Sequence, residues 1–154
     1  MILFINTSLS DLVQVKLLAN DKILAQAESR ERFKQSELLL LMIDRLIKKA
    51  RKQKNQKIRK PKNKKTKKQE SKKADLEMIA VVSGPGSFSS LRLGITTANT
   101  LAWALKIPII ELTTKENSSN EKLVEIIKKK SHKAKKQSFR PIAPKYGQEP
   151  NITK

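Results

Sequence analysis

The chain has 154 residues, 34 Lys and Arg against 14 Asp and Glu, one His and no Cys, for a formal net charge of +20. Without cysteine there is no disulfide framework, no thiol nucleophile and no Cys-ligated zinc or iron–sulfur centre; the single His132 cannot supply the paired imidazoles of a zinc protease. The length fits one domain with a real core, and the charge invites a nucleic-acid-binding reading whose worth depends on where the charge lies.

Residues 1–6 (MILFIN) form a short apolar run ending in the turn formers Asn6, Thr7 and Ser8, the pattern of a buried strand. Residues 12–18 are apolar with Gln14 and Lys16 alternating, a half-exposed strand. Asn20-Asp21 stands where a two-residue hairpin turn belongs, and 22–28 form the returning strand. Gln35-Ser36-Glu37 then leads into LLLLMIDRLI, whose Leu and Met content predicts a helix over 35–47. Residues 38–43 are apolar all the way round, so this helix must be covered on more than one face. Either it is wedged inside its own core, or it has the sheet on one face and a partner chain on another.

Residues 76–82 (LEMIAVV) read as a buried strand. They run into Ser83-Gly84-Pro85-Gly86-Ser87-Phe88 and a helix over 89–105 carrying Leu91, Ile95, Ala98, Leu101, Ala102 and Leu105. A turn at Lys106-Ile107 precedes a short strand over 108–112. Residues 121–130 (EKLVEIIKKK) make a last amphipathic helix, with lysines in its final turn as the helix dipole prefers. The order βββαβαβα is α/β, a mixed sheet flanked by helices. By fold-level analogy it is a single ribonuclease-H-like lobe of the actin-like ATPase fold. No segment reaches the roughly 18 apolar residues needed to span a membrane, and the N-terminal stretch lacks the basic n-region and long h-region of a signal peptide. A cytoplasmic location is expected. No internal repeat stands out.

The charge is unevenly placed. Residues 1–47 are net 0 and 74–120 net −1, whereas 48–73 hold 15 basic residues and one acid (net +14) and 121–154 are net +7. The 48–73 segment has almost nothing apolar beyond Ala50 and Ile58, too little to offset the entropy of ordering. A disordered Lys-rich loop at 51–74 is therefore expected to interrupt a lobe spanning 1–130, followed by a basic tail over 131–154. The loop is either a merely solvated insertion or a mobile arm touching RNA phosphates, with Lys62, Lys64, Lys65, Lys67 and Lys68 as candidates. It contains no aromatic residue, and 27 of the chain's basic residues are Lys, so such contacts would be sequence-tolerant.

The turn Gly84-Pro85-Gly86-Ser87-Phe88 delivers the chain onto a helix N-terminus. Its N–H groups, with Ser87, Ser89 and Ser90, either cap that helix internally or hold an anion. It is not a P-loop, since no G-K-[ST] follows, nor a nucleophile elbow, since the G-x-S-x-G spacing is absent. Ser87 also lacks a plausible base, because His132 lies in a lysine-rich stretch. Asn6 occupies the position where actin-like ATPases place a magnesium-organising carboxylate; it is a poorer ligand for a hard cation and suffices as a turn former. No metal site and no cofactor are expected.

These residues together resemble the TsaB (YeaZ) family. The segment VVSGPGSFSSLRLGITTANTLAWALKIPIIEL matches its pattern G-P-G-S-F-T-G-L-R-x-G-x-x-x-A-x-x-L-A at Gly84, Pro85, Gly86, Ser87, Phe88, Leu91, Arg92, Gly94, Ala98, Leu101 and Ala102. Asn6-Thr7-Ser8 resembles its D-T-S, Gln35-Ser36-Glu37-Leu38-Leu39 its H-S-E-x-L-L, and Pro144-Lys145-Tyr146 its closing P-x-Y. The sequence departs from the family at Asn6 for Asp, Gln35 for His, Ser89-Ser90 for Thr-Gly, in the basic insertion, and in the near absence of a second lobe after Leu112.

The resemblance implies a non-catalytic subunit. Such a subunit dimerises with a TsaD-like enzyme and, with a TsaE-like ATPase, supports threonylcarbamoyl transfer to N6 of adenosine 37 in tRNA. It implies a pairing surface on the first two helices, with Glu37, Leu38, Leu41, Met42, Arg45, Leu91, Arg92, Ile95 and Asn99 as candidates, and leaves a homodimer open. The rivals are a degenerate actin-like ATPase or peptidase acting through Asn6 or Ser87, and a small basic RNA-binding protein with the neutral domain as carrier.

Overall fold

The computed structural model describes residues 1–57, 76–134 and 139–147, the side chains of 53–57 excepted. Three strands open the chain: β1 (Ile2–Asn6), β2 (Val13–Ala19) and β3 (Lys22–Ser29). The β2–β3 turn has positive φ at both Asn20 and Asp21, the geometry of a type I′ hairpin and the one these two residue types tolerate. Helix α1 (Gln35–Lys57), strand β4 (Met78–Gly84), helix α2 (Phe88–Leu105), strand β5 (Ile109–Thr113), a 3-10 turn (Thr114–Asn117) and helix α3 (Asn120–Ala134) follow. The sheet runs β3-β2-β1-β4-β5, with β1 antiparallel to β2, β2 to β3, and β4 parallel to both β1 and β5. The expected α/β lobe and its element order are what the chain adopts.

Side chains alternate across a strand, so the central strands β1 and β4 each feed two cores. Leu3 and Ile5 of β1 with Ile79 and Val81 of β4 point toward α1 and α2, where Leu39, Ile43, Leu46, Leu91, Ile95 and Ala98 meet them. Phe4, Met78, Ala80 and Val82 face the other way, against Leu123 and Ile127 of α3. Lys16, on this second face, is buried beside the Phe4 ring, and its Nζ donates to Asn120 Oδ1 at 2.8 Å.

Helix α1 departs from the expected 35–47. It continues to Lys57, so residues 51–57 of the expected loop are helical. The reason is visible in its buried stripe, Leu39, Met42, Ile43, Leu46 and then Ala50, which carries helical spacing into the basic run. A Lys48–Asp44 ion pair at 2.7 Å bridges one turn there. The remainder of the expected loop lies outside the described residues. Among the described residues no helix is long and apolar enough to cross a membrane.

The expected tail also begins differently. Residues 131–134 complete α3, and 139–147 return as an extended strap across α2 and the loop before it.

Candidate functional site

The G-P-G-S-F turn lies where three stretches distant in sequence converge. From one side comes the Asn6-Thr7-Ser8 corner after β1. Asn6 Oδ1 accepts the Ser8 N–H at 3.0 Å, the turn-forming role open to a neutral Asn. Ser8 carbonyl oxygen accepts the Ser87 N–H at 2.8 Å, and Thr7 Oγ1 donates to the Ser90 carbonyl at 2.6 Å. This corner presses so close that a Cβ on Gly86 would lie 2.2 Å from Ser8 O, and one on Gly94 2.2 Å from Thr7 Oγ1. The Ser87 amide that an anion would need is thus already bonded to protein.

The second stretch is the start of α1. Gln35 is buried; its Nε2 donates to Leu9 O (2.8 Å) and Leu12 O (3.1 Å), and its Oε1 accepts from Ser90 Oγ at 2.8 Å. Gln35 and Ser90 are two of the departures from the family pattern, and they are each other's hydrogen-bond partners. The pair ties the first turns of α1 and α2 together.

The third stretch is the strap. Lys145 N–H donates to Ser83 O at 2.7 Å, Ile142 and Asn99 exchange two hydrogen bonds (2.9 and 3.0 Å), and Arg92 Nε donates to Tyr146 Oη at 2.9 Å. The Tyr146 ring lies 4.5 Å from that of Phe88, and the Arg92 guanidinium sits 4.0 Å over Phe88. Gly84, at φ +136°, has Lys145 O only 2.0 Å from where a Cβ would stand, so this position requires glycine twice over. Beneath the strap, Glu111 bonds the Lys145 ammonium and accepts from Ser83 Oγ at 2.6 Å. Burial on its own would raise the Glu111 carboxyl, but these two hydrogen bonds and the charges of Lys145 and Lys130 hold it below the usual carboxylate range. Glu116 is lowered in the same manner, its burial outweighed by Lys130 and the Thr113 amide.

The structure sorts the residues singled out from sequence. Gly84, Pro85, Gly86, Ser87 and Phe88 form the packed knot just described. Of the candidate pairing residues, Met42, Leu91 and Ile95 face the sheet inside the protein's own core, Leu91 with no exposure and Ile95 with 2%. They offer nothing to a partner, because residues at that helical phase are those α1 and α2 spend on the core. Arg92 and Asn99 are engaged by the strap. Glu37, Leu41 and Arg45 are exposed, and Leu38 is half-buried.

On these two helices sequence reasoning found Leu41 (52% exposed) but missed two further outward apolar residues, Leu40 (56%) and Trp103 (69%). The apolar run at 38–43 pointed to the first; nothing separated Trp103 from the core positions around it. Leu40 and Leu41 at the surface exclude a helix wedged wholly inside its own core. Lys62, Lys64, Lys65, Lys67 and Lys68 lie outside the described residues. Among the described residues, no group of three or more His, Cys, Asp or Glu is placed to hold a metal ion.

A family model for TsaD, tRNA N6-adenosine threonylcarbamoyltransferase, matches residues 35–130. The tRNA threonylcarbamoyladenosine biosynthesis protein TsaB of Bacillus subtilis (strain 168) is 50% identical over 42 residues, which are 27% of this chain and 18% of that protein. A tRNA N6-adenosine threonylcarbamoyltransferase of Limosilactobacillus fermentum (strain NBRC 3956 / LMG 18251) is 47% identical over 36 residues, 23% of this chain and 10% of that one. Two solved structures share the fold at a TM-score of 0.55 and 22% identity: YeaZ from Pseudomonas aeruginosa, and a protein described as similar to peptidase YEAZ from Pseudomonas aeruginosa. Each alignment takes in 73% of this chain and 43% or 42% of the other. The chain thus spans less than half the length of the relatives it matches. With the family model covering well over half of its residues and a TsaB signature at the turn before α2, the chain belongs to the TsaD family and resembles its TsaB (YeaZ) members.

Proposed function

We propose that this chain is a non-catalytic partner subunit in tRNA threonylcarbamoyladenosine formation, pairing with a TsaD-like enzyme through the outer faces of α1 and α2. The observation that supports it is the set of solvent-facing apolar residues Leu40, Leu41 and Trp103 on those two helices of a family member. Aromatic and Leu side chains left in water on neighbouring helices are the usual material of a pairing surface. Glu37 and Arg45, exposed at its edge, supply a polar rim. The chain's part in the reaction is to hold the enzyme, a TsaE-like ATPase joins the assembly, and tRNA is met through the complex or through the basic 48–73 segment. A cytoplasmic location belongs to the same reading.

The packed turn offers an ATPase or peptidase reading little, since Ser87 N–H and Asn6 Oδ1 are both spent on Ser8. Co-expression with the TsaD-type subunit of the same genome tests the proposal. The double variant Leu41→Asp, Trp103→Asp keeps its thermal unfolding profile and weakens co-purification by about a hundredfold or more. Undiminished pairing overturns the surface; ATP or peptide hydrolysis by the isolated protein, dependent on Asn6 or Ser87, overturns the non-catalytic role. Ile95→Asp is no substitute, because at 2% exposure it disrupts the core instead.

A further inference from the structure

The connection between β3 and α1 reads Arg30-Glu31-Arg32-Phe33-Lys34, and Phe33 in it has two unfavourable features at once. Its side chain is 95% exposed, and its backbone sits at φ 64°, in the left-handed region where a bulky residue is an outlier. An aromatic ring gains nothing for the fold there. Such a combination points to something outside the fold that uses the ring.

The surroundings indicate what that is. Phe33 is flanked on both sides by cations, Arg32 and Lys34, in a connection that holds no other apolar side chain. Arg32 has no acidic partner among the described residues, and Arg30 and Lys34 hold only exposed ion pairs, to Glu28 and Glu31. The Gln35–Ser90 hydrogen bond joins the starts of α1 and α2. Phe33 lies two residues before one member of that pair and Phe88, half exposed with Arg92 stacked on it, two residues before the other.

We propose that this corner binds an unpaired stretch of nucleic acid, one base stacking on Phe33 while Arg30, Arg32 and Lys34 meet the flanking phosphates. The site uses none of the residues proposed for pairing, and it differs from the aromatic-free basic segment, which can supply charge but no stacking.

The test uses the full chain and a fluorescent ten-residue adenylate strand, as RNA and as DNA, beside a strand of equal length without bases. The wild type favours the base-bearing strand, and the better-bound backbone identifies the source. Phe33→Gly removes the ring where glycine accepts the backbone freely, so Tm stays level or rises. Affinity for the base-bearing strand falls about five- to a hundredfold, to that of the baseless one. Phe33→Trp retains the preference. Arg32→Ala weakens both strands alike and lowers the salt slope by roughly one. Equal binding of the two strands by the wild type, or undiminished preference in Phe33→Gly, overturns the proposal. So does loss of TsaD-type pairing in Phe33→Gly with nucleic-acid binding intact, which makes the ring a protein contact. The Leu41→Asp, Trp103→Asp variant keeps the strand preference, so the two proposals fail independently.

Discussion

Gly84 and Gly86 show how little room separates the signature turn from its neighbours: a single added methyl group on either would overlap a carbonyl oxygen, Lys145 O at 2.0 Å or Ser8 O at 2.2 Å. A glycine-rich turn before a helix suggests a phosphate cradle, yet here the space a phosphate would enter is taken by backbone. Gly84→Ala therefore meets both a clash and a disfavoured φ. It is expected to lower stability by about 1–3 kcal/mol in thermal or urea unfolding and to release the strap. Intact strap contacts in that variant, by amide exchange at 142–146, would show that the close approach is not what requires glycine. The glycines were legible in the sequence; what fills the space beside them was not. Lys145 approaches from about 60 residues away, and no local pattern announces a backbone contact at that distance.

Elements defined by periodicity were readable, and those defined by contact were not. The strands announced themselves through apolar runs, and α2 and α3 through stripes spaced three and four apart. The end of α1 was hidden because lysine and glutamine serve a solvated helix as well as a loop, and only Ala50 at stripe phase marked the continuation. The strap was hidden more completely: Arg140-Pro141-Ile142-Ala143-Pro144-Lys145-Tyr146 has two prolines and no period, and its order comes wholly from what it lies on.

One of those anchors titrates. The Glu111 carboxyl is lowered in the fold, so its stabilising contribution is complete above the ordinary carboxylate value of about 4.3 and fades as pH falls through the lower folded value. Amide exchange of the strap, taken relative to the intrinsic amide rate at each pH, should accelerate on acidification in the wild type. In Glu111→Gln it should be about two- to fivefold faster already at neutral pH and lose that acid dependence. An unchanged exchange rate in the variant would remove Glu111 from the strap's anchors.

For the molecule as a whole, the average charge misleads. The +20 rests mainly on residues 48–73 and 121–154, around a lobe whose other segments are net 0 and −1. Fold, signature turn and outward helix faces lie in or against that near-neutral lobe, so pairing and electrostatic attraction to RNA should separate experimentally. Replacing residues 58–73 by a neutral linker is expected to leave co-purification with the TsaD-type subunit unchanged. It should also flatten the salt dependence of tRNA binding, by nearly one unit of log–log slope for each phosphate that the lysines no longer neutralise. Loss of pairing in that variant would place the segment inside the interface.

The strap also has a consequence for synthesis. A ribosome works from the N-terminus, so Ser8 is waiting when the G-P-G-S-F turn emerges, whereas Lys145 follows about 60 residues later. During that interval Gly84 faces water and Phe88 lacks its stacked Tyr146. The nascent lobe can bring together the buried residues of both cores, through α3, before its signature turn is closed, with Phe139, Ile142 and Tyr146 still to pack against the first. Completion of that turn thus reports that translation has passed residue 145.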